Sequence, residues 1–247
     1  KLVIEWMRVG FVHGVMNTDN MTLSGESIDF GPCAFINIYK PDTVFSSIDF
    51  NGRYSYKNQP IITQWNIARF AESIIPLINK DKDTSIKVAS EVINLFDKYF
   101  QNQWLEMMRS KLGLVTNHKD DKMLILKLLA IMEDKKMDYT NTFRLLSQKK
   151  LYTKNKEFEN WYNNWKKRIK YYGSFELSKK IMIQKNPSVI PRNNLVEKVL
   201  NEAYMGNYKS IKDFMMILKK PYKNYNKETI YTIEPKFDPD YKTFCGT

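Results

Sequence analysis

From Ile61 onward apolar residues recur every three or four positions, the spacing of helices that each bury one face. The longest stripe is Val88, Val92, Phe96, Tyr99, Phe100, Trp104, Met108 and Leu112. Asp83-Thr84-Ser85 supplies N-cap candidates for it, and Gly113 a stop. Asp120 or Asp121 opens the next, with Leu124, Leu128, Leu129 and Met132 on its core face. Asp138-Tyr139-Thr140 opens a short helix through Leu146, and further stripes fall at 158–172 and 195–204. Gly206-Asn207 breaks the last of these; Ile211, Phe214, Met215 and Leu218 resume the period until Pro221. Beyond Pro221 the chain is polar, aromatic and unperiodic, as an extended surface tail would be. The front differs. Gly10, Gly14, Gly25 and Gly31 punctuate short apolar runs with no helical period, so turns and short strands are expected there. The pattern predicts a mainly α protein with a short β-hairpin, divided into 1–60, a helical 61–220 and a tail 221–247.

Composition narrows the class. The 247 residues include 15 Tyr, 14 Phe and 5 Trp, enough burial to exclude a disordered chain. Two cysteines exclude a disulfide scaffold, and two histidines, His13 and His118, leave no His-rich metal site. No window approaches the apolar length of a membrane span, so no membrane partner is expected. The start at Lys1 has neither an initiator Met nor a leader, which suggests a chain cut from something longer. The net charge of +12 rests on 32 Lys and only 7 Arg. Nucleic-acid readers favour Arg, and the Lys are scattered, so the charge fits an AT-rich bacterial coding bias and no nucleic-acid partner is expected. A cytoplasmic monomer is the expectation.

The dense polar cluster lies in the front. It runs Val9-Gly10-Phe11-Val12-His13-Gly14-Val15-Met16-Asn17-Thr18-Asp19-Asn20-Met21, then Ile28-Asp29-Phe30-Gly31-Pro32. Asn20 and Asp29, nine apart, would converge from the two ends of a hairpin as a hard, oxygen-only pair suited to Mg²⁺ and nucleotide phosphates. Small-molecule and antibiotic kinases carry the order HGDxxxxN followed by DFG. This chain fits at His13, Gly14, Asn20 and Asp29-Phe30-Gly31, and departs at Val15, which stands where the catalytic Asp belongs. Valine accepts no proton, so as a kinase the chain is a pseudokinase. His13 is better suited to hold the loop than to act as a base, and His118 falls between helices in solvent.

Those stretches resemble the selenoprotein O (SelO) family of protein adenylyltransferases. The resemblance continues through Arg53-Tyr54-Ser55-Tyr56, Asn58-Gln59-Pro60, Gln64-Trp65-Asn66-Ile67-Ala68-Arg69, Lys111-Leu112-Gly113-Leu114, Asp138-Tyr139-Thr140, Asn186-Pro187, Pro191-Arg192-Asn193 and Pro221-Tyr222. It covers nearly the whole chain but only the C-terminal half of a family member. It implies a protein-kinase-like C-terminal lobe of a two-lobed α+β fold, with the N-terminal lobe absent. On that reading 1–60 holds the catalytic loop, metal-binding hairpin and activation segment.

The implied activity is nucleotidyl transfer. ATP, bound in a flipped orientation with Mg²⁺ or Mn²⁺, gives AMP to Ser, Thr or Tyr hydroxyls of protein substrates. Asp19 is the implied proton acceptor, Asn20 a metal ligand, and Asp29 a ligand to metal and ATP. Inversion of the nucleotide also accounts for Val15, because the ordinary base position no longer faces the acceptor. A fragment with this lobe alone is expected to be inactive. The resemblance further implies a reversible redox pair, Cys33 with Cys245; two unpaired thiols are the alternative. Arg53, Asn58, Asn66 and Arg192 lie in the resembling stretches without an assigned role. The competing readings are a non-catalytic helical interaction domain left by decay and a kinase-like phosphotransferase.

Overall fold

The computed structural model describes residues 1–223, 229–235 and 241–244. Ten α-helices and a two-stranded sheet are seen among them: α1 (Leu2–Val9), β1 (Phe11–Val12), β2 (Ala34–Phe35), α2 (Gln59–Ser73), α3 (Ile75–Ile78), α4 (Lys82–Lys111), α5 (Asp121–Asp134), α6 (Tyr139–Ser147), α7 (Lys156–Tyr172), α8 (Phe175–Lys185), α9 (Asn193–Tyr204) and α10 (Lys209–Leu218). No helix among the described residues is long and apolar enough to cross a membrane.

The predicted start of α6 coincides with its cap, while α7 begins two residues before its predicted start. Asp138 accepts the Asn141 N–H at 2.7 Å to open α6, and Asn155 accepts from Glu157 and Phe158 to open α7. The cap of α4 lies two residues earlier than predicted. The Asp81 carboxylate takes both the Thr84 N–H (2.8 Å) and hydroxyl (2.6 Å), so Asp83 and Ser85 fall inside the helix. Helix α1 stands where turns and short strands are expected; its buried Val3, Ile4, Trp6 and Met7 fall on one face at helical spacing. Gly10 ends it in the left-handed conformation, φ +77°.

The expected hairpin between Asn20 and Asp29 reduces to one antiparallel bridge, Met21 to Ser27. The sheet lies outside it: β1 pairs with β2, Phe11 opposite Phe35 and Val12 opposite Ala34. The loop and bridge are thus held at their base by the strands before and after them.

One hydrophobic core joins the front to the helices, running from Val3 through Ile62 to Met107, Leu128, Phe143, Trp165 and Met182. In α7, Phe158, Trp161 and Trp165 are fully buried, and each indole N–H finds a backbone carbonyl: Leu124 at 2.8 Å and Leu112 at 2.9 Å. Each such side chain contributes roughly 1.5–3 kcal/mol by burial. A satellite cluster of Leu195, Val199 and Phe214 packs α9 on α10, while Met215, predicted on that stripe, is exposed.

The long stripe of α4 is only half buried. Met108 and Leu112 lie in the core, but Val88, Val92 and Tyr99 are 41%, 62% and 48% exposed. The cause is length. Thirty residues extend about 45 Å, beyond the span of the core. The first turns line a groove with α2 and α3, while Lys111 in the last is bonded to the Arg8 carbonyl of α1 and to Asn186 just past α8.

Two buried ionic links tie distant segments together. Arg192, just before α9, reaches Asp138 (2.6 and 3.2 Å) and Asn37 (2.9 Å). Asp121 accepts from Arg109 and Arg168, both at 2.8 Å, and from the His118 N–H at 2.9 Å. Part of the tail returns to the front. Thr243 pairs with Ser46 as a parallel bridge and donates its hydroxyl to the Pro32 carbonyl at 2.7 Å.

Candidate active site

The loop from His13 to Asn20 is built by its neighbours. The buried Gln59 amide, at the start of α2, accepts the His13 N–H and donates to the Phe11 carbonyl, both at 3.1 Å. The His13 ring is fully buried; its Nε2 lies 2.7 Å from the Ile28 carbonyl, and it stacks beside Trp6 at 5.2 Å. Trp6 donates to Ser27 at 2.8 Å. His13 therefore ties the loop to the far arm of the bridge, a structural role. His118 is partly exposed, its Nδ1 accepting from the Asp120 N–H at 3.3 Å.

Gly14 is required where it stands. Its φ is +83°, and a Cβ there would come within 2.4 Å of the Pro32 carbonyl oxygen. Val15 turns inward, 8% exposed, and its carbonyl accepts the Asn20 side-chain N–H at 3.0 Å. That bond fixes the Asn20 amide and leaves its oxygen as the group able to accept or ligate. Asp19 sits mid-turn in a 3-10 segment, Thr18–Asn20, with its carboxylate exposed. Asp29 lies two residues past the bridge, also exposed, with φ +53°. A non-glycine residue in that conformation costs of order 1–3 kcal/mol and recurs at functional sites. Its Oδ1 accepts only a long bond from the Gly31 N–H, 3.4 Å, which leaves most of its acceptor capacity open.

The structure thus sets Asn20 and Asp29 on the two arms of one bridge, with Asp19 beside Asn20. Among the described residues no group of three or more His, Cys, Asp or Glu could hold a metal. The donors here are instead one amide and one carboxylate oxygen. Such a pair suits a hard divalent cation that keeps most of its shell as water and phosphate oxygens.

Cys33 is half-buried, its Sγ 3.2 Å from the Phe30 carbonyl. Burial pushes its thiol pKa up, and Asp29 adds to the shift. Cys245 lies outside the described residues.

Residues left without a role by the sequence acquire one here. Asn66 donates to the Met16 carbonyl (3.0 Å) and to the Met21 sulfur (2.6 Å), clasping both ends of the segment that carries Asp19 and Asn20. Asn58 donates to the Gly52 carbonyl at 2.8 Å. Tyr54 donates its hydroxyl to Asn17. Gln59 and Tyr54, named only within the resembling stretches, carry no role in the sequence because their partners lie 46 and 37 residues away. The available signal was a polar side chain at the buried first position of a helix.

A model of the family described as protein adenylyltransferase SelO matches residues 1–219. A protein nucleotidyltransferase YdiU of Pelagibacter ubique is 49% identical over all of this chain, which covers 52% of that relative. Proteins of the same name from Clostridium botulinum (strain Alaska E43) and Anoxybacillus flavithermus are 47% and 46% identical, with the same coverage. The chain spans about half the length of the curated relatives it matches. A match across 219 of 247 residues, supported by near-half identity throughout, places it: the chain belongs to the SelO family.

Proposed function

We propose that the chain is the kinase-like, catalytic half of a protein adenylyltransferase, transferring AMP from ATP to Ser, Thr or Tyr hydroxyls of proteins. The observation that carries this is the loop itself. The position that would hold a phosphotransferase base is Val15, turned inward, while the exposed carboxylates are Asp19 and Asp29. The same observation disfavours a phosphotransferase. The retained loop, clasped by Gln59 and Asn66, disfavours a purely structural helical module.

In this reading Asn20 and Asp29 hold Mg²⁺ or Mn²⁺, and Asp29 also meets the ATP phosphates. The cation, when bound, offsets charge on the phosphates and on the departing pyrophosphate. Asp19 accepts the proton of the acceptor hydroxyl as its oxygen bonds to the α-phosphorus and the bond to pyrophosphate breaks. Asn20, its amide N–H held by the Val15 carbonyl, would have its oxygen free to ligate, and the Asn66 clasp holds both ends of the segment that carries Asp19 and Asn20.

The test is intact-mass analysis of acceptor proteins incubated with ATP, Mg²⁺ and the full-length protein that carries this chain. Addition of AMP is expected, and addition of phosphate alone overturns the reading. Asp19→Asn is expected to slow transfer about 10²–10⁴-fold, the usual contribution of a general base.

Cys33 and Cys245 are proposed as a redox pair within the same enzyme. Thr243, two residues before Cys245, is bonded to Pro32, the neighbour of Cys33, which supports their meeting. Oxidised glutathione would take the two electrons, giving one protein disulfide and two glutathione thiols. Non-reducing peptide mapping after that treatment is expected to recover the linked peptides; both thiols free would end the proposal.

A further inference from the structure

A second constellation flanks the catalytic loop. Arg53 stands in the segment between β2 and α2, and its guanidinium lies over the Trp65 ring at 4.9 Å and the Tyr54 ring at 5.7 Å. Asp49, the nearby acid, spends its carboxylate on backbone: Oδ1 accepts the Arg53 N–H and Oδ2 the Tyr54 N–H, both at 2.8 Å. Among the described residues the Arg53 side chain makes no ion pair. Arg69, on the same Trp65 ring at 5.3 Å, differs, because it pairs with Glu72.

Arg53 is therefore an exposed, pre-oriented cation whose charge is not answered by a carboxylate. A guanidinium stacked on aromatic rings loses little freedom when it binds a planar anion, and a bidentate carboxylate is the matching partner. Its position is set by the active loop. Tyr54, the next residue, donates to Asn17, two residues before Asp19. Trp65 precedes Asn66, whose amide clasps Met16 and Met21 on either side of Asp19 and Asn20. One wall of the Arg53 seat, Tyr54, is thus itself an anchor of the candidate catalytic loop, and the other, Trp65, stands one residue from Asn66, a second anchor.

We infer that Arg53, seated on Trp65 and Tyr54, binds an acidic side chain of the acceptor protein close to the hydroxyl that receives AMP. This rests on the adenylyltransferase reading and adds a specificity determinant to it. The ring contacts place Arg53 as a positioning group for the acceptor and give it no part in the chemical step.

The test uses ten-residue peptides, each with one Ser and an Asp at successive positions around it, compared with Ala and Lys at the same positions. The full-length protein carrying this chain is assayed with α-labelled ATP. At one position Asp is expected to raise kcat/KM about tenfold over Ala, the size of one charge-assisted contact. Arg53→Gln should reduce that ratio to about one through KM. Arg53→Glu should shift the preference to Lys, an outcome that a merely structural arginine would not give. Three results overturn the inference: an Asp preference that survives Arg53→Gln, a rise in the KM for ATP alone, or label entering the enzyme or other proteins with no peptide discriminated. The parent reading fails separately, if no α-label is transferred to anything.

Discussion

Arg192 and Asp138 offer the sharpest stability test. Their side chains are 1% and 0% exposed, and two hydrogen bonds of 2.6 and 3.2 Å join them. Asp138 also caps α6, and its backbone bridges to Ile38, while Arg192 reaches Asn37. The pair therefore couples α6, the start of α9 and the segment that follows β2. Among the described residues, Arg192→Leu would leave the buried carboxylate with only the Asn141 backbone N–H as donor. Breaking a buried pair from one side costs about 3–5 kcal/mol. With a urea slope of about 3 kcal/mol per M for a domain of this size, the unfolding midpoint should fall by about 1–1.7 M. Asp138→Asn combined with Arg192→Leu removes the stranded charge and keeps a capping oxygen. It should therefore recover at least half of the loss. Equilibrium urea unfolding followed by tryptophan fluorescence reads both. A cost below about 1 kcal/mol for Arg192→Leu, or additive effects in the double variant, would refute the assignment.

Other outcomes follow from single sites. Gly14→Ala places a Cβ 2.4 Å from the Pro32 carbonyl at φ +83°, so the loop must shift and transfer activity should fall at least tenfold; Gly25→Ala, strained at φ +75° but with open space around it, should lose less activity. At Asp121 burial raises the carboxyl pKa, but hydrogen bonds from Arg168, the His118 N–H and Arg109 outweigh it and hold the group below its ordinary 3.8. A depressed carboxylate stabilises the fold in full above that value and loses its contribution as pH falls toward the lowered one. Acid titration of stability should thus show a loss below about pH 4 that Asp121→Asn flattens. Asn66→Ala should leave the helical circular dichroism signal intact yet reduce transfer, since its side chain holds the Met16 carbonyl and the Met21 sulfur. Equal activity for Asn66→Ala and the parent would remove its clasping role.

What could be read ahead of the structure was local. Asp138 and its N–H partner three residues on belong to one turn, so α6 was legible to within a residue. For α7 the end at Tyr172 was legible, but its start lies two residues before the predicted 158. The loop was legible because its glycines, Asn20 and Asp29 keep a fixed order. Long-range choices were not. Nothing in the spacing tells that Arg192 would seek Asp138, 54 residues away, or that Gln59 would reach back to His13. Periodicity also overstated burial in α4: an apolar stripe shows which face is apolar, and neighbours decide how far along it the core extends. Helix α1 escaped because it is short: Val3, Ile4, Trp6 and Met7 keep helical spacing, but two turns give little period to read.

In the proposed reaction the exposed Asp19 and Asp29, with the half-buried Asn20, serve transfer of the α-phosphoryl group with its nucleoside. The direct measurement gives the full-length protein ATP labelled separately at the α- and γ-phosphates, with Mg²⁺ and an acceptor protein, and counts label bound to protein. The account predicts incorporation from the α-position, none from the γ-position, and loss of about 10²-fold or more with Asp29→Ala. Incorporation from the γ-position, or α-label undiminished in Asp29→Ala, would contradict it.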